Sequence, residues 1–499
     1  MSGRAYVLAD DYRWLLATGA VLGVAVAIHH GRWSGPAFAV LAFAFALFAW
    51  RFFVAMRDRG VPRAAPGRAL ADVLLALLAL MPVTALLDRT IIPEPAVWHW
   101  TVGRVAQVGF LVLLATYLPF LSRASLARRE SERVRALRFA AFAALVLVAG
   151  LAVIRVSPVP EIDVWTIQTQ GADALLAGQN PYVAIAVPDT DPETDFTVPY
   201  VYPPLPIYLG ALARAARGDV RHWLLAAVLA AGFAMRFIAR RRAAGPGGAE
   251  RAEPADGAPL APLPSLPSLP SFIEDAPALF FWLSAPLFMV LDRSWIDPLQ
   301  IVLASLGVAA FVAGRPTLAA AVLGVAISSK QSMFWIFPLA GVLLGFDRRR
   351  WAVMALAALV PVAPFLAWNW RALKYANFDF MNALGARHDG LCLPSFVTRA
   401  LGATFPPQLT FLISAAVVAA SCLRTPRDPA ARTRFAALGL SRALLATYFV
   451  FFFFNRWAFA NYYFLLIGLS SLAAAATVQA RPSSVERRAE IPVVDVPTQ

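Results

Sequence analysis

The sequence predicts an all-α polytopic membrane protein, a multi-helix bundle of about 12 to 14 spans, and three observations carry that prediction. Of its 499 residues, 59% are hydrophobic, and the mean hydropathy is +0.63, far above that of a soluble domain of this length. Runs of roughly 14 to 20 apolar residues recur from end to end, close to what a helix needs to cross ~30 Å of hydrocarbon. The arginines gather in short loops between alternate runs, as the positive-inside rule requires of a chain threaded back and forth.

Taken in order, residues 14–28 and 37–54 form a first hairpin, and 70–87 and 102–121 a second, so that 1–136 is an N-terminal four-span extension. Asp10 and Asp11 precede the first apolar run and no small-residue cleavage site follows it, so this run is expected to stay as an anchor. The clusters Arg57, Arg59, Arg63, Arg68 and Arg123, Arg128, Arg129, Arg133, Arg135, Arg138 mark the inner side. A core then opens over 137–239. Its span 139–154 leads outward into a polar loop, 155–203, and 204–239 returns inward to Arg240, Arg241 and Arg242. Arg214, Arg217, Asp219 and Arg221 split that return into one crossing and a partial or interfacial helix.

Residues 240–275 change character to Pro, Ser and Gly, and their P-S-L repeat reads as an extended inner linker. Over 276–480 the remaining spans fall near 277–291, 298–313, 316–329, 332–346, 351–369, 406–423, 436–454 and 457–478. A second outer loop is expected over 370–405, and 481–499 forms an inner tail with Arg481, Arg487 and Arg488. Neither half resembles the other inverted, which disfavours many transporter folds.

The net charge of +14 reports orientation rather than an affinity for nucleic acid, because the arginines lie in loops without interleaved aromatics. Cys392 and Cys422 are expected at different depths and unpaired. The five histidines form no metal-binding pair on one helix.

Chemistry concentrates in the acidic loop, which carries Glu161, Asp163, Asp173, Asp189, Asp191, Glu193 and Asp195. Asp163 to Ala177 has helical periodicity. Asp163, Thr166, Gln170 and Asp173 share a polar face, bordered by Val164, Ile167, Leu175 and Leu176. Gly178 ends this helix and Asn180-Pro181 turns the chain. The expected result is a short amphipathic helix on the membrane surface with its carboxylates towards water. Spacing alone also fits a solvated helix whose acids only keep the loop outside.

In order along this loop stand Asp163, then Gly178, Pro181 and Tyr182, then Tyr200, Tyr202, Pro203 and Pro204. That order resembles the first outer loop of the GT-C membrane glycosyltransferases. More narrowly, it is similar to the polyprenol-phosphate-mannose-dependent mannosyltransferases of glycosyltransferase family 87. The resemblance covers some fifty residues well and the later spans only loosely. It implies a GT-C-like bundle whose outer loop is catalytic and whose Asp163 is the general base, deprotonating an acceptor hydroxyl as it displaces lipid phosphate with inversion.

Lys330 is one of only two lysines, the other being Lys374, and it lies inside an apolar hairpin. An ionisable group at that depth needs a partner. The resemblance points to a donor phosphate, with Gln331 beside it; a lysine snorkelling from a helix end is the plainer reading. Asp292 and Asp297 read as turn residues, as a second acid or as metal ligands. Arg371, Lys374, Arg387, His388 and Asp389 form a charged outer loop, of which Arg387 and His388 are candidate phosphate ligands. Arg456, at an aromatic-flanked turn, is a phosphate ligand or an interfacial anchor. Asp173, Tyr182, Tyr200, Tyr202 and Asp297 are candidates for contact with sugar or acceptor, and the tyrosines could equally pack the loop.

Two functions follow. The first is transfer of a hexose, mannose by the resemblance, from a polyprenyl-phosphate-linked donor to a lipid or glycan acceptor, with a divalent metal left open as cofactor. The second is a transporter or lipid flippase. High Arg and Ala point to a GC-rich bacterium, and so to its plasma membrane with the active side facing the periplasm or exterior.

Overall fold

A computed structural model describes residues 10–57, 131–160, 162–188, 197–216, 218–244, 271–284, 286–385, 387–426 and 428–478. The expected spans 70–87 and 102–121, most of the linker, the tail, and Glu161, Asp189, Asp191, Glu193, Asp195, Arg217 and Arg427 lie outside these residues.

The described chain is mostly helical. Helices α1 (Asp10–Ile28) and α2 (Gly35–Arg57) make the first hairpin. Helix α3 (Glu132–Val156) starts at Ser131, whose hydroxyl accepts a hydrogen bond from the Val134 N–H at 3.3 Å. Helices α4 (Asp163–Leu176) and α5 (Pro181–Ala184) lead to a two-residue ribbon, β1 (Val187–Pro188) antiparallel to β2 (Thr197–Val198), in which Val187 faces Val198. Next come α6 (Pro204–Ala215), α7 (Arg221–Ala244), α8 (Ser271–Trp282), α9 (Leu287–Asp292), α10 (Asp297–Val312) and α11 (Pro316–Ile327). A 3-10 turn over Gln331–Trp335 runs into α12 (Ile336–Leu343), followed by α13 (Arg348–Leu359), α14 (Ala363–Lys374) and α15 (Phe380–Ala383). Helices α16 (Leu393–Leu401), α17 (Pro407–Leu423), α18 (Pro429–Phe454) and α19 (Ala460–Thr477) complete the described chain.

By length and composition four of these helices can cross a membrane, those at 132–156, 221–243, 435–454 and 460–477. A bent pair, Arg348–Leu359 with Ala363–Ala383, makes a fifth if counted as one span, and six shorter apolar helices accompany them. This is compatible with an all-α membrane protein.

Three expectations are corrected. The expected span 277–291 is two helices, α8 and α9, interrupted next to Pro286. The expected span 351–369 is bent by 59° between α13 and α14, where Pro361 and Pro364 remove backbone donors. The expected outer loop 370–405 is largely helical: α14 runs on to Lys374, a π turn covers Tyr375–Asp379, and α15 and α16 follow.

The main core is built around α19, whose residues from Ala460 to Thr477 are nearly all buried. Small residues let the helices close on one another. A side chain at Gly19 of α1 would strike Phe280 and Ser470, and Ser470 Oγ donates to the Leu15 carbonyl. A second, smaller core gathers Ile167, Tyr182, Val198, Tyr200, Ile207, Phe365 and Phe380, so α4, α5, the ribbon, α6, α14 and α15 form one unit around the tyrosines. That unit positions the candidate site.

Candidate functional site

The Tyr200-Val201-Tyr202-Pro203-Pro204 segment threads between α4 and the turn that carries Lys330. Proline at 203 and 204 removes two backbone donors and keeps this stretch extended until α6 begins. The Leu205 N–H donates to the Ser328 carbonyl at 3.3 Å. Gln331 Nε2 donates to the Val201 carbonyl and, at 3.1 Å, to Asn377 Oδ1, while Asn377 Nδ2 donates to the Leu373 carbonyl at 3.1 Å. The Tyr182 hydroxyl donates to the Tyr202 carbonyl at 2.7 Å. The YVYPP segment is thus fixed by polar contacts to the lysine turn on one side and to α5 on the other.

Around it stand Asp163 in the first turn of α4, Asp297 in the first turn of α10, and Asn461 and Tyr462 in the first turn of α19. Lys330 Nζ donates to Asp297 Oδ1 at 2.8 Å and lies 4.2 Å from the centre of the Tyr462 ring. Asn461 Nδ2 donates to the other carboxylate oxygen at 2.9 Å. Asp297 is fully buried and Lys330 is 6% exposed, so the ion pair is desolvated and each oxygen of the carboxylate has its own donor. Burial, and then the charges of nearby groups with Asp163 foremost, push the Tyr202 phenol well above its ordinary pKa, so it stays protonated. Helix N-termini at Asp163, Asp297 and Asn461 add positive dipole ends to the same region.

Each expected residue can be placed against this geometry. Asp163 is half-buried and close enough to Tyr202 to act on its titration. Lys330, expected to meet a donor phosphate, has Asp297 as its partner, and Asp297, expected in an outer turn, is enclosed by that pairing. Gln331 holds the YVYPP segment rather than a free surface. Asp173 forms a two-pronged pair with Arg214 at 2.8 and 3.0 Å on the surface. Tyr182 and Tyr200 are core residues, edge to face at 5.6 Å, because the small core beneath the loop has few other large side chains to fill it. The Tyr200 hydroxyl is buried without a hydrogen-bond partner. Tyr202 alone of the three is half-buried next to the acids.

The expected polar face of α4 is therefore divided. Gln170 and Asp173 are exposed, Asp163 turns towards Tyr202, and Gln168, on the opposite side, is buried and donates to the Ser294 carbonyl. Rather than lying free on a membrane, α4 is clamped by contacts such as Gly171 against the Tyr200 ring.

Of the second expected cluster, Arg387 and His388 lie with Arg456 in a neighbouring loop, whereas Arg371 and Lys374 stand on α14, where Lys374 pairs with Asp379 at 2.7 Å. Arg387 pairs with Asp389 at 2.9 and 3.1 Å, and its backbone N–H donates to the Arg456 carbonyl at 3.3 Å. Arg456 Nη2 donates to the Met381 carbonyl at 2.8 Å and so caps the end of α15. His388 is exposed, and its carbonyl accepts from Arg399 Nε at 2.7 Å. Arg387 and Arg456 are thus structural ties within the loop as well as cations.

No family model, curated protein or solved structure matches this chain.

Two elements of the site escaped sequence reasoning. Asn461 and Tyr462 reach Asp297 and Lys330 from far along the chain, and the only sequence signal was a polar N-Y-Y at the head of an apolar run. The second is Arg221, fully buried, whose Nη2 donates to the carbonyls of Ile154 at 3.1 Å and Ser157 at 2.6 Å while its Nε and Nη2 grip Asp219. It satisfies the open carbonyl end of α3 just before Asp163 and so fixes where the catalytic candidate enters α4. Among the described residues no three His, Cys, Asp or Glu side chains come together in a way that could hold a metal ion.

Proposed function

We propose that this chain is a membrane glycosyltransferase that moves a hexose, mannose in the first instance, from a polyprenyl-phosphate donor to a lipid or glycan hydroxyl. The observation that carries this reading is Asp163, half-buried at the head of α4 beside the Tyr202 phenol. The order of Asp163, Gly178, Pro181, Tyr182, Tyr200, Tyr202, Pro203 and Pro204, which resembles family 87, supports it. In the reaction, the Asp163 carboxylate takes the acceptor's hydroxyl proton and the resulting oxygen attacks the anomeric carbon. The bond from that carbon to the phosphate oxygen breaks, and the lipid phosphate leaves with the electron pair and without needing a second acid. Tyr202, kept protonated, supplies a hydrogen-bond donor near the base. Lys330, held by Asp297, keeps positive charge close without being consumed as a free cation.

The test is transfer of radiolabelled mannose from polyprenyl-phosphate-mannose to acceptors in membranes carrying the wild type or Asp163→Asn. Transfer by the wild type with a loss of at least about a hundredfold in the variant is expected of a general base. Equal transfer by both would remove Asp163 from that role. A transporter or flippase is the second reading, and the buried Lys330–Asp297 pair favours it, since ionisable pairs at membrane depth are common in transport paths. Uptake or lipid scrambling in proteoliposomes that survives Asp163→Asn and is lost with Asp297→Asn would support that reading instead.

A further inference from the structure

The outer-end surface of α2 and the short helix α16 enclose a groove of roughly 380 Å³, lined by Trp33, Gly35, Phe38, Ala42, Phe396 and Arg399. Its walls are joined by aromatic packing: Phe38 stacks on Phe396 at 4.8 Å between centroids and on Phe453 at 6.2 Å. Gly35, Ala39 and Ala42 leave one side of α2 without bulk, and this is why the space exists. Helix α16 is amphipathic, burying Pro394 and Ser395 and leaving Leu401 70% exposed, which is the pattern of a helix lying at an apolar–polar boundary.

Among the described lining residues Arg399 is the one that carries charge. Its guanidinium lies 4.9 Å over the Trp33 ring and is held by one hydrogen bond, from Nε to the His388 carbonyl at 2.7 Å. No carboxylate pairs with it among the described residues. Next to it, the Trp33 backbone N–H donates to the Asp389 carbonyl at 2.8 Å, so the adjoining Arg32 and the Arg387 that pairs with Asp389 lie near the same rim. The one carboxylate there, Asp389, is already engaged by Arg387 and drops below its ordinary pKa: burial opposes ionisation, and the Arg387 hydrogen bond and charge, with Arg32 adding to them, outweigh it. Among the described residues, three arginines around one carboxylate leave the rim net positive.

We infer that this groove binds one acyl chain of an anionic glycerophospholipid, whose phosphate meets Arg399 at the rim. Charge and shape both select this occupant. An apolar groove ending at a guanidinium matches a lipid with a hydrocarbon tail below a phosphate, and a zwitterionic headgroup would bring its own ammonium against the arginines of the rim, which an anionic one does not. The site lies on the α2–α16 face and does not depend on the transferase reading. A bound lipid there would brace the loop 387–391, whose Leu391 N–H donates to the Ala458 carbonyl at 2.8 Å just before α19 begins.

Delipidated full-length protein titrated with phosphatidylglycerol or phosphatidylcholine and read by native mass spectrometry tests this. The wild type should retain one phosphatidylglycerol and bind phosphatidylcholine about five- to tenfold more weakly. Arg399→Gln should erase that preference, whereas Arg424→Gln, an exposed cation outside this rim, should keep it. Ala42→Phe should fill the groove and lose both lipids; if that variant does not elute as folded protein, Ala39→Leu on the same wall replaces it. Wild-type binding by both groove-filling variants, an unchanged preference in Arg399→Gln, or displacement of phosphatidylglycerol by equimolar polyprenyl phosphate would each overturn the assignment.

Discussion

Asp297 illustrates how much a single buried carboxylate demands of its surroundings. With no exposure to solvent it needs a cation and a full set of donors, and Lys330 and Asn461 supply one to each oxygen. Removing either charge leaves the other stranded, so Asp297→Asn and Lys330→Met should each destabilise the protein by roughly 3–5 kcal/mol, whereas Asp297→Leu/Lys330→Met together should recover most of it. Thermal melts of the four proteins in one detergent would decide this; a double variant as weak as the singles would mean that the pair does more than balance charge. Tyr200 behaves in the opposite way. Its ring fills the small core and its hydroxyl has no partner. Tyr200→Phe should therefore melt no lower than the wild type, and by up to about 1–3 kcal/mol more stably. Transfer should also be unaffected, and a selective loss of transfer would show that the hydroxyl meets substrate. The Asp173–Arg214 pair is exposed on both sides, so Asp173→Ala should change stability by no more than about 1 kcal/mol.

At the scale of elements, α3, α7 and α9 meet at the Arg221 clasp, and the titration of its carboxylate has a definite sign. Burial opposes ionisation of Asp219, but hydrogen bonds and charge from Arg221 outweigh it and hold the carboxyl below its ordinary range. A depressed folded pKa contributes stability that is complete above the ordinary carboxylate pKa and is lost as pH falls through the folded value. Acid melts from pH 6 downward should therefore show a loss that Asp219→Asn flattens, the variant being weaker near neutrality and no weaker in strong acid. Helices α11 and α13 depend instead on closeness. A side chain at Gly324 would run into the Met354 carbonyl, which cannot move without shifting α13. Gly324→Val should cost about 1–3 kcal/mol of stability, measured as a lowered melting temperature.

Across the whole molecule, the arginine clusters in the loops are expected on one side of the membrane and the acidic loop on the other. Arg240 pairs with Glu132 and Arg236 with Asp275 at 2.6 Å, so part of the arginine charge expected on the inner side knits α3, α7 and α8 together. The exposed aromatics Trp368, Trp370, Tyr375 and Phe378 crowd the α14 end of the bent pair, where an aromatic belt would lie. Exposed positions give the test of orientation: Gln179→Cys in the acidic loop should react with an impermeant thiol reagent in intact cells, and Arg349→Cys only after permeabilisation. The native Cys392 is buried and Cys422 half-buried, so both add little background. The reverse labelling pattern would invert the topology and place Asp163 on the cytoplasmic side.

The sequence by itself determined the helical class, the start of α4 at Asp163, its end before Gly178, and the division of 204–239 into a short helix and a crossing one. These are local matters: apolar periodicity, a glycine at φ +73° and a run of charges are written into neighbouring residues. Only the tertiary structure decided that Lys330 belongs to Asp297, that Asn461 and Tyr462 join them, that Tyr182 and Tyr200 are core, and that Arg221 closes α3. Each of those pairings spans tens to hundreds of residues, and a buried charge selects its partner from whatever the folded helices bring within reach, which no pattern along one segment encodes.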